Sequence, residues 1–230
     1  MYKIYLRLIK KAIILFIITF LPLGTYLYLN EEVQTTFISN IDNNQCKYIL
    51  DAEFNPTKNK IYIFEKVIFI NKTNKKMDRI YFYLGNNKIG IKDVRINNKQ
   101  VGYKIIGNDN ILMVISNIKI GSGDTSKIDV DYEIDIENNK KLGKKGNSIN
   151  YNFDIWYPVI LYHDNNEWDL KSVLRNTPKI LEGDHHVKIF IPLDYALDIT
   201  NRKNNSGFYQ LKEINNSHVP IIIRNTYEEN

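Results

Sequence analysis

Beyond residue 47 the chain is a succession of short apolar or alternating runs, separated by Gly, Asn, Asp and Pro at intervals of about 8–12 residues. Alternation with a period of two marks a strand with one buried face. Lys127–Ile136 shows it most clearly. Ile128, Val130, Tyr132, Ile134 and Ile136 fall on one face, and Asp129, Asp131, Glu133 and Asp135 on the other. The spacing predicts a half-buried antiparallel strand with a wet acidic face. Lys60–Asn71 reads differently. Ile61, Ile63, Glu65, Val67 and Phe69 share one face; Tyr62, Phe64, Lys66, Ile68 and Ile70 share the other. Both faces are mostly apolar, which predicts a central strand with its charges near a rim.

Further strands are predicted at Tyr48–Phe54, Arg79–Leu84, Ile89–Ile96, Val101–Ile106, Ile111–Ile115, Val187–Pro192, Ala196–Thr200, Phe208–Ile214 and Val219–Ile223. Turn chemistry divides them at Asn55-Pro56-Thr57, Gly85-Asn86-Asn87, Asn97-Asn98, Gly107–Asn110 and Gly121–Asp124. No amphipathic helix is predicted after residue 30. The expected body is all-β, an antiparallel β-sandwich over residues 47–225, with 226–230 as a tail.

The N-terminus breaks this pattern. From Ala12 to Leu29 there is no charged residue. A helix of that length spans about 27 Å, close to the hydrocarbon thickness of a bilayer. Lys10 and Lys11 precede the run and Glu31 and Glu32 follow it. Positive charge stays on the cytoplasmic side, so residues 1–11 are expected inside the cell, 12–29 as a single transmembrane signal anchor, and the body outside. Residues 30–46 read as a linker. A cleaved signal peptide is the competing reading, with Pro22 and Gly24 ending its apolar region, although small residues of the Ala-x-Ala type are missing.

Composition narrows the function classes. The 230 residues are 43% hydrophobic and 25% charged, which excludes wholesale disorder. Of the formal charge of +5, four come from Lys3, Arg7, Lys10 and Lys11, so the body is close to neutral. A nucleic-acid partner, which needs a concentrated basic face, is therefore not expected. One cysteine, Cys46, excludes an internal disulfide framework and a Cys-based zinc site.

A search for chemistry yields little. The sequence lacks His-Glu-x-x-His, the spacing that converges two imidazoles on one zinc. His185 and His186 are neighbours at a strand start and point to opposite faces. His163 and Glu167 flank Asp164-Asn165-Asn166, a turn sequence and not a helix. Lys140-Lys141-Leu-Gly-Lys144-Lys145 reads as a solvated basic loop, and Cys46 as an incidental thiol in the linker. No catalytic residue, metal ligand or cofactor is assigned. The more specific feature is aromatic: Trp156-Tyr157-Pro158 and Glu167-Trp168 hold both tryptophans. Trp156, Tyr157 and Trp168 are candidate core staples or an exposed interface able to stack on a carbohydrate or peptide.

The order of these pieces resembles the N-terminal β domain of the membrane alanyl aminopeptidase family of zinc metallopeptidases, which includes aminopeptidase N and leukotriene hydrolase. The matching residues are Tyr48-Ile-Leu50; Asn71-Lys-Thr73 followed by Ile80–Leu84; Gly123 to Tyr132; Trp156-Tyr157-Pro158 with Glu167-Trp168, where Glu replaces the usual Gly; and Val187–Pro192 with Asp194-Tyr195. Together they cover about residues 47–223. The resemblance implies a saddle-like β-sandwich that, in the full enzymes, packs beside the active site. The family's zinc motif, Gly-x-Met-Glu-Asn loop and catalytic tyrosine belong to a later domain, so no catalytic role carries over to any residue here. The resemblance leads to the expectation of a non-catalytic, shortened or split relative. Such a chain would dock on a separate metallopeptidase catalytic domain or another envelope protein. The alternative is an envelope module that binds carbohydrate or peptide.

Overall fold

A computed structural model of the chain describes residues 45–137, 140–142, 149–164, 167–199, 202–204 and 207–225. The segment expected to cross the membrane, its flanks Lys10, Lys11, Glu31 and Glu32, nearly all of the linker, the side chains of the basic loop, Asn165-Asn166 and the tail lie outside the described residues. No helix among the described residues is long and apolar enough to cross a membrane.

The first part of the body supplies β1 (Cys46–Asn55), β2 (Lys60–Ile70), β3 (Met77–Tyr83), β4 (Ile89–Ile96), β5 (Lys99–Gln100), β6 (Gly102–Ile106), β7 (Ile111–Ile120) and β8 (Thr125–Asp135). The second supplies β9 (Lys140–Leu142), β10 (Ile149–Phe153), β11 (Val159–Ile160), a short helix α1 (Leu170–Leu174), β12 (Gly183–Ile191), β13 (Tyr195–Ile199), β14 (Arg202–Asn204), β15 (Gly207–Asn216) and β16 (Ile221–Asn225). They form a seven-stranded sheet in the order β15-β12-β1-β2-β8-β4-β5, a five-stranded sheet β14-β13-β16-β10-β9 and a four-stranded sheet β11-β3-β7-β6. Apolar faces from all three sheets meet in one core.

Alternation delivers the strands as expected. On β8 every residue of the apolar face, from Ile128 to Ile134, is sealed in the core, as is Ile136 just beyond it. Of the opposite face, Asp131 is exposed, but Asp129 is covered and sits 3.5 Å from Lys127 Nζ. β2 lies in the middle of the large sheet, between β1 and β8. Asn97 and Asn98 both take positive φ, which is what a two-residue turn matching the strand twist demands. Asn55 accepts a hydrogen bond from the Lys58 amide at 3.1 Å and caps the short 3-10 turn that Pro56 opens.

Four expectations are corrected. The sandwich is not wholly antiparallel: β1 and β12 run parallel, Tyr48 opposite His185 and Leu50 opposite Val187. The long connection between them permits the crossover that a parallel pair requires. The strand expected at 101–106 is present as β6, but the two-residue β5 just before it was not expected. β5 belongs to the large sheet and β6 to the four-stranded one, and the chain changes sheet at Val101, whose amide bonds back to the Val94 carbonyl. Cys46 is not in a linker; it opens β1, opposite Phe69 and Gly183. The helix α1 was not expected, being too short to show a period; Asp169 caps it by accepting from the Ser172 amide at 3.2 Å.

A fifth difference concerns Glu65. Its face was read correctly, but it is not at a rim. It faces Leu50 on β1 and Val130 on β8 and is completely buried.

Candidate functional site

Trp156, Tyr157 and Trp168 do not form one surface. Trp156 and Tyr157 are fully buried, whereas Trp168 is half-buried and packs on Tyr81 and edge-on to His163. The role of the first two follows from a single backbone unit. Trp156 Nε1 donates to the Val219 carbonyl at 2.7 Å, and the Val219 amide donates to the Tyr157 hydroxyl at 2.9 Å. Both polar groups of Val219 are thereby satisfied inside the core, which holds the segment before β16 in place.

The chain of bonds continues. Tyr157 Oη lies 2.8 Å from His185 Nδ1, and His185 Nε2 lies 2.9 Å from the Asn216 carbonyl. A carbonyl can only accept, so Nε2 carries the proton and Nδ1 accepts from the tyrosine. The tautomer is fixed and the ring is neutral: burial, the largest influence, lowers its pKa to about 4. Tyr48 stacks on this ring, centroids 4.6 Å apart, and its hydroxyl accepts from the Ile160 amide at 3.1 Å. His186 points to the other side of the sheet, so the two histidines do not share a ligand position. Burial pushes the Cys46 thiol up to about 12, which leaves it un-ionised and unreactive.

Glu65 lies in the same core. Both carboxyl oxygens lack a hydrogen-bond partner of ordinary geometry, as does the Tyr132 hydroxyl. Burial raises the Glu65 pKa well above the ordinary range; the nearby Tyr132 hydroxyl opposes this only in part. The group is a neutral acid at physiological pH.

Asn71 and Thr73, part of the resemblance, are also structural. Asn71 Nδ2 donates to the carbonyls of Lys75, Ile120 and Gly121 at 2.8–3.1 Å. Its Oδ1 accepts from the Thr73 amide at 3.1 Å and hydroxyl at 2.7 Å. One buried side chain thus pins the loop after β2 to the end of β7.

A second polar chain lies at the surface. Ser217 Oγ is 2.9 Å from His218 Nδ1, and His218 Nε2 is 2.9 Å from Asp154 Oδ1. The residue types are those of a nucleophile, base and acid. Asp154 is 82% exposed, so water competes for its carboxylate. The cavity beside it, about 190 Å³, is lined by Asp154 but by neither Ser217 nor His218. The nucleophile position therefore does not face the space a substrate would fill, and the chain reads as a clasp between two loops. Among the described residues no group of three or more His, Cys, Asp and Glu side chains is placed to hold a metal ion.

A larger concavity lies elsewhere, on the solvent face of the seven-stranded sheet. Its volume is about 750 Å³. Strand register builds its floor in two rows. One runs Phe208, Phe190, Glu53, Tyr62; the next runs Gln210, Lys188, Asp51, Phe64, Asp131. Phe64 is 44% and Phe208 84% exposed, and the rings of Phe190 and Phe208 are 4.9 Å apart. Phe64 sits directly between two carboxylates, Asp51 and Asp131, for which no ion pair is present among the described residues. Sequence reasoning missed this groove. The signal was present in the apolar second face of β2, but the strands that complete it come from β1, β8, β12 and β15.

No family model and no curated protein matches the sequence. Solved structures do. An M1 zinc metallopeptidase from Deinococcus radiodurans is 10% identical and aligns over 77% of this chain and 41% of its own, with a TM-score of 0.48. Yeast LTA4 hydrolase in complex with bestatin is 11% identical over 78% of this chain and 28% of its own, with a TM-score of 0.47. This chain is thus similar in structure to M1 zinc metallopeptidases over about three quarters of its length, and spans less than half the length of either.

Proposed function

We propose that the protein is a membrane-tethered docking domain. In this reading residues 12–29 cross the bilayer once, Lys10 and Lys11 stay on the cytoplasmic side, and the β body outside the cell binds a partner protein and breaks no bonds itself. The observation that carries the docking function is the open groove on the outer sheet face, with Phe64 and Phe208 uncovered in it. Contiguous exposed aromatic surface of this kind marks interaction sites. The non-catalytic part draws support from the buried titratable groups, which are committed to the fold: His185 has both ring nitrogens occupied, and Cys46 and Glu65 are sealed and uncharged. The ordered motifs point to a separately made metallopeptidase catalytic domain as the partner. A stacking platform of Trp156, Tyr157 and Trp168 is not retained, because the first two are inside the core.

The test uses the full chain in its native membrane, carrying a photo-reactive phenylalanine analogue at position 208. Crosslinking to one polypeptide is expected, and its loss when Phe64→Glu is added. Crosslinking no stronger than from position 118, an exposed apolar site outside the groove, overturns docking. Hydrolysis of aminoacyl-anilides by the purified chain with added zinc overturns the non-catalytic reading. Protection of the body from protease added to intact cells overturns the topology.

A further inference from the structure

The groove's chemistry specifies its occupant more narrowly. Resting on the docking reading, we infer that it seats an arginine side chain of the partner, presented by an extended segment, with the guanidinium over Phe64 and between Asp51 and Asp131.

Three features of the floor lead there. Asp51, Phe64 and Asp131 are consecutive across three hydrogen-bonded strands and point to the same face. Directly opposed residues in antiparallel pairs have Cβ atoms about 5 Å apart, so the two carboxylates flank the ring at a separation that a planar cation can bridge. All three side chains are exposed, and the phenyl face is uncovered. A guanidinium is suited to such a seat because it stacks flat on an aromatic ring while its edges donate to carboxylates; an ammonium is a point charge and cannot do both.

The surroundings favour a cation and a neighbouring apolar residue. Asp51, Glu53 and Asp131 line the groove against one lysine, Lys188. The acids that continue these rows are already paired, Glu133 with Lys60 and Lys92 at 3.0 and 3.1 Å and Asp93 with Arg95 at 2.6 Å. Tyr62 has the amines of Lys58 and Lys92 over its ring, at 5.7 and 4.8 Å from the centroid. Tyr62, likewise set between two carboxylates, Glu53 and Glu133, already holds cations over its ring, whereas among the described residues no amine lies over Phe64. The Phe190–Phe208 pair at the end of the groove supplies an apolar wall for a residue beside the arginine.

The experiment is a titration of the full chain, in lipid nanodiscs, with a capped leucine–arginine–leucine tripeptide, followed by amide chemical shifts. The control replaces arginine by citrulline, which keeps the planar shape but has no charge and carries an accepting oxygen in place of one terminal nitrogen. The arginine peptide is expected to shift the amides around 51, 64, 131 and 190 and to bind about fivefold tighter than the citrulline peptide, with the preference falling at high salt. The Asp51→Asn, Asp131→Asn double variant, whose side chains are exposed and whose fold is checked by the same spectra, is expected to erase that preference. Phe64→Leu is expected to weaken the arginine peptide severalfold. Equal binding of the two peptides, an unchanged preference in the double variant, or shifts confined to residues outside the groove overturns the assignment. So does failure of both peptides to bind. If groove-dependent crosslinking from position 208 persists in that case, docking stands and only the arginine seat falls.

Discussion

Glu65 offers the sharpest test of the core. A carboxyl at the centre of a sheet, opposed by Leu50 and Val130 and with only the Tyr132 hydroxyl near it, is held as the neutral acid. Burial raises its pKa in the folded protein; in the unfolded chain it returns to the ordinary value of 4.5. The folded state therefore binds the proton over a pH range in which the unfolded chain has released it. Stability from this group is fully present below 4.5 and is lost as pH rises towards the folded value. Each unit of pH in that window costs about 1.4 kcal/mol. Stability from Glu65 is therefore expected to fall as pH rises above 4.5. Glu65→Gln keeps the shape without the proton and should flatten the slope. Glu65→Met, which also removes the buried polar group, should raise stability at pH 7. Urea denaturation of the full chain in detergent, at closely spaced pH values, measures all three. An identical slope in wild type and Glu65→Gln would mean that the carboxyl is ionised in place, and the reasoning fails.

The remaining predictions concern the polar groups that join the sheets. Tyr157→Phe leaves the Val219 amide and His185 Nδ1 without partners and should cost about 2–4 kcal/mol by urea denaturation, while the far-ultraviolet spectrum stays that of a β protein. Asn71→Asp sets a carboxylate oxygen against three carbonyls and should cost about 3–5 kcal/mol, read as a fall in the thermal midpoint. His185, with a folded pKa near 4 against 6.5 unfolded, contributes stability that is fully present above pH 6.5 and lost as pH falls to 4, about 3 kcal/mol in all. Measured in the Glu65→Gln background, where the opposing carboxyl is silent, that loss should be smaller in His185→Gln, the remainder coming from His186, which burial also lowers to about 4. Gly183→Ala should destabilise the β1–β12 junction, because the added methyl would lie 2.6 Å from the Cys46 carbonyl, and hydrogen exchange of the β1 amides reads the effect.

Local chemistry was enough to find most of the strands. The period of two on Ile128–Ile136 is a property of the backbone, since successive side chains leave a strand on opposite sides whatever the neighbours are. Turn signals such as Asn97-Asn98 and Asn55-Pro56 act through their own φ angles and short-range bonds, so they too are visible in order along the chain. The boundaries that were missed depend on partners. β5, only two residues long, exists because β4 pairs with it at the edge of the large sheet, and α1 holds through its Asp169 cap and not through any period.

What only the tertiary structure decided is which residues become neighbours across a sheet. Glu65 was assigned to the right face, but its depth depends on β1 and β8 closing over it from both sides. Tyr157 and His185 are ordinary residues until a parallel β1–β12 pairing and the turn at 217–219 bring them within 2.8 Å of each other. The groove is the clearest case. Asp51, Phe64 and Asp131 carry no motif between them, because the register that sets them side by side is fixed by loops, crossovers and burial of the opposite face, and none of those is written in the local order of residues.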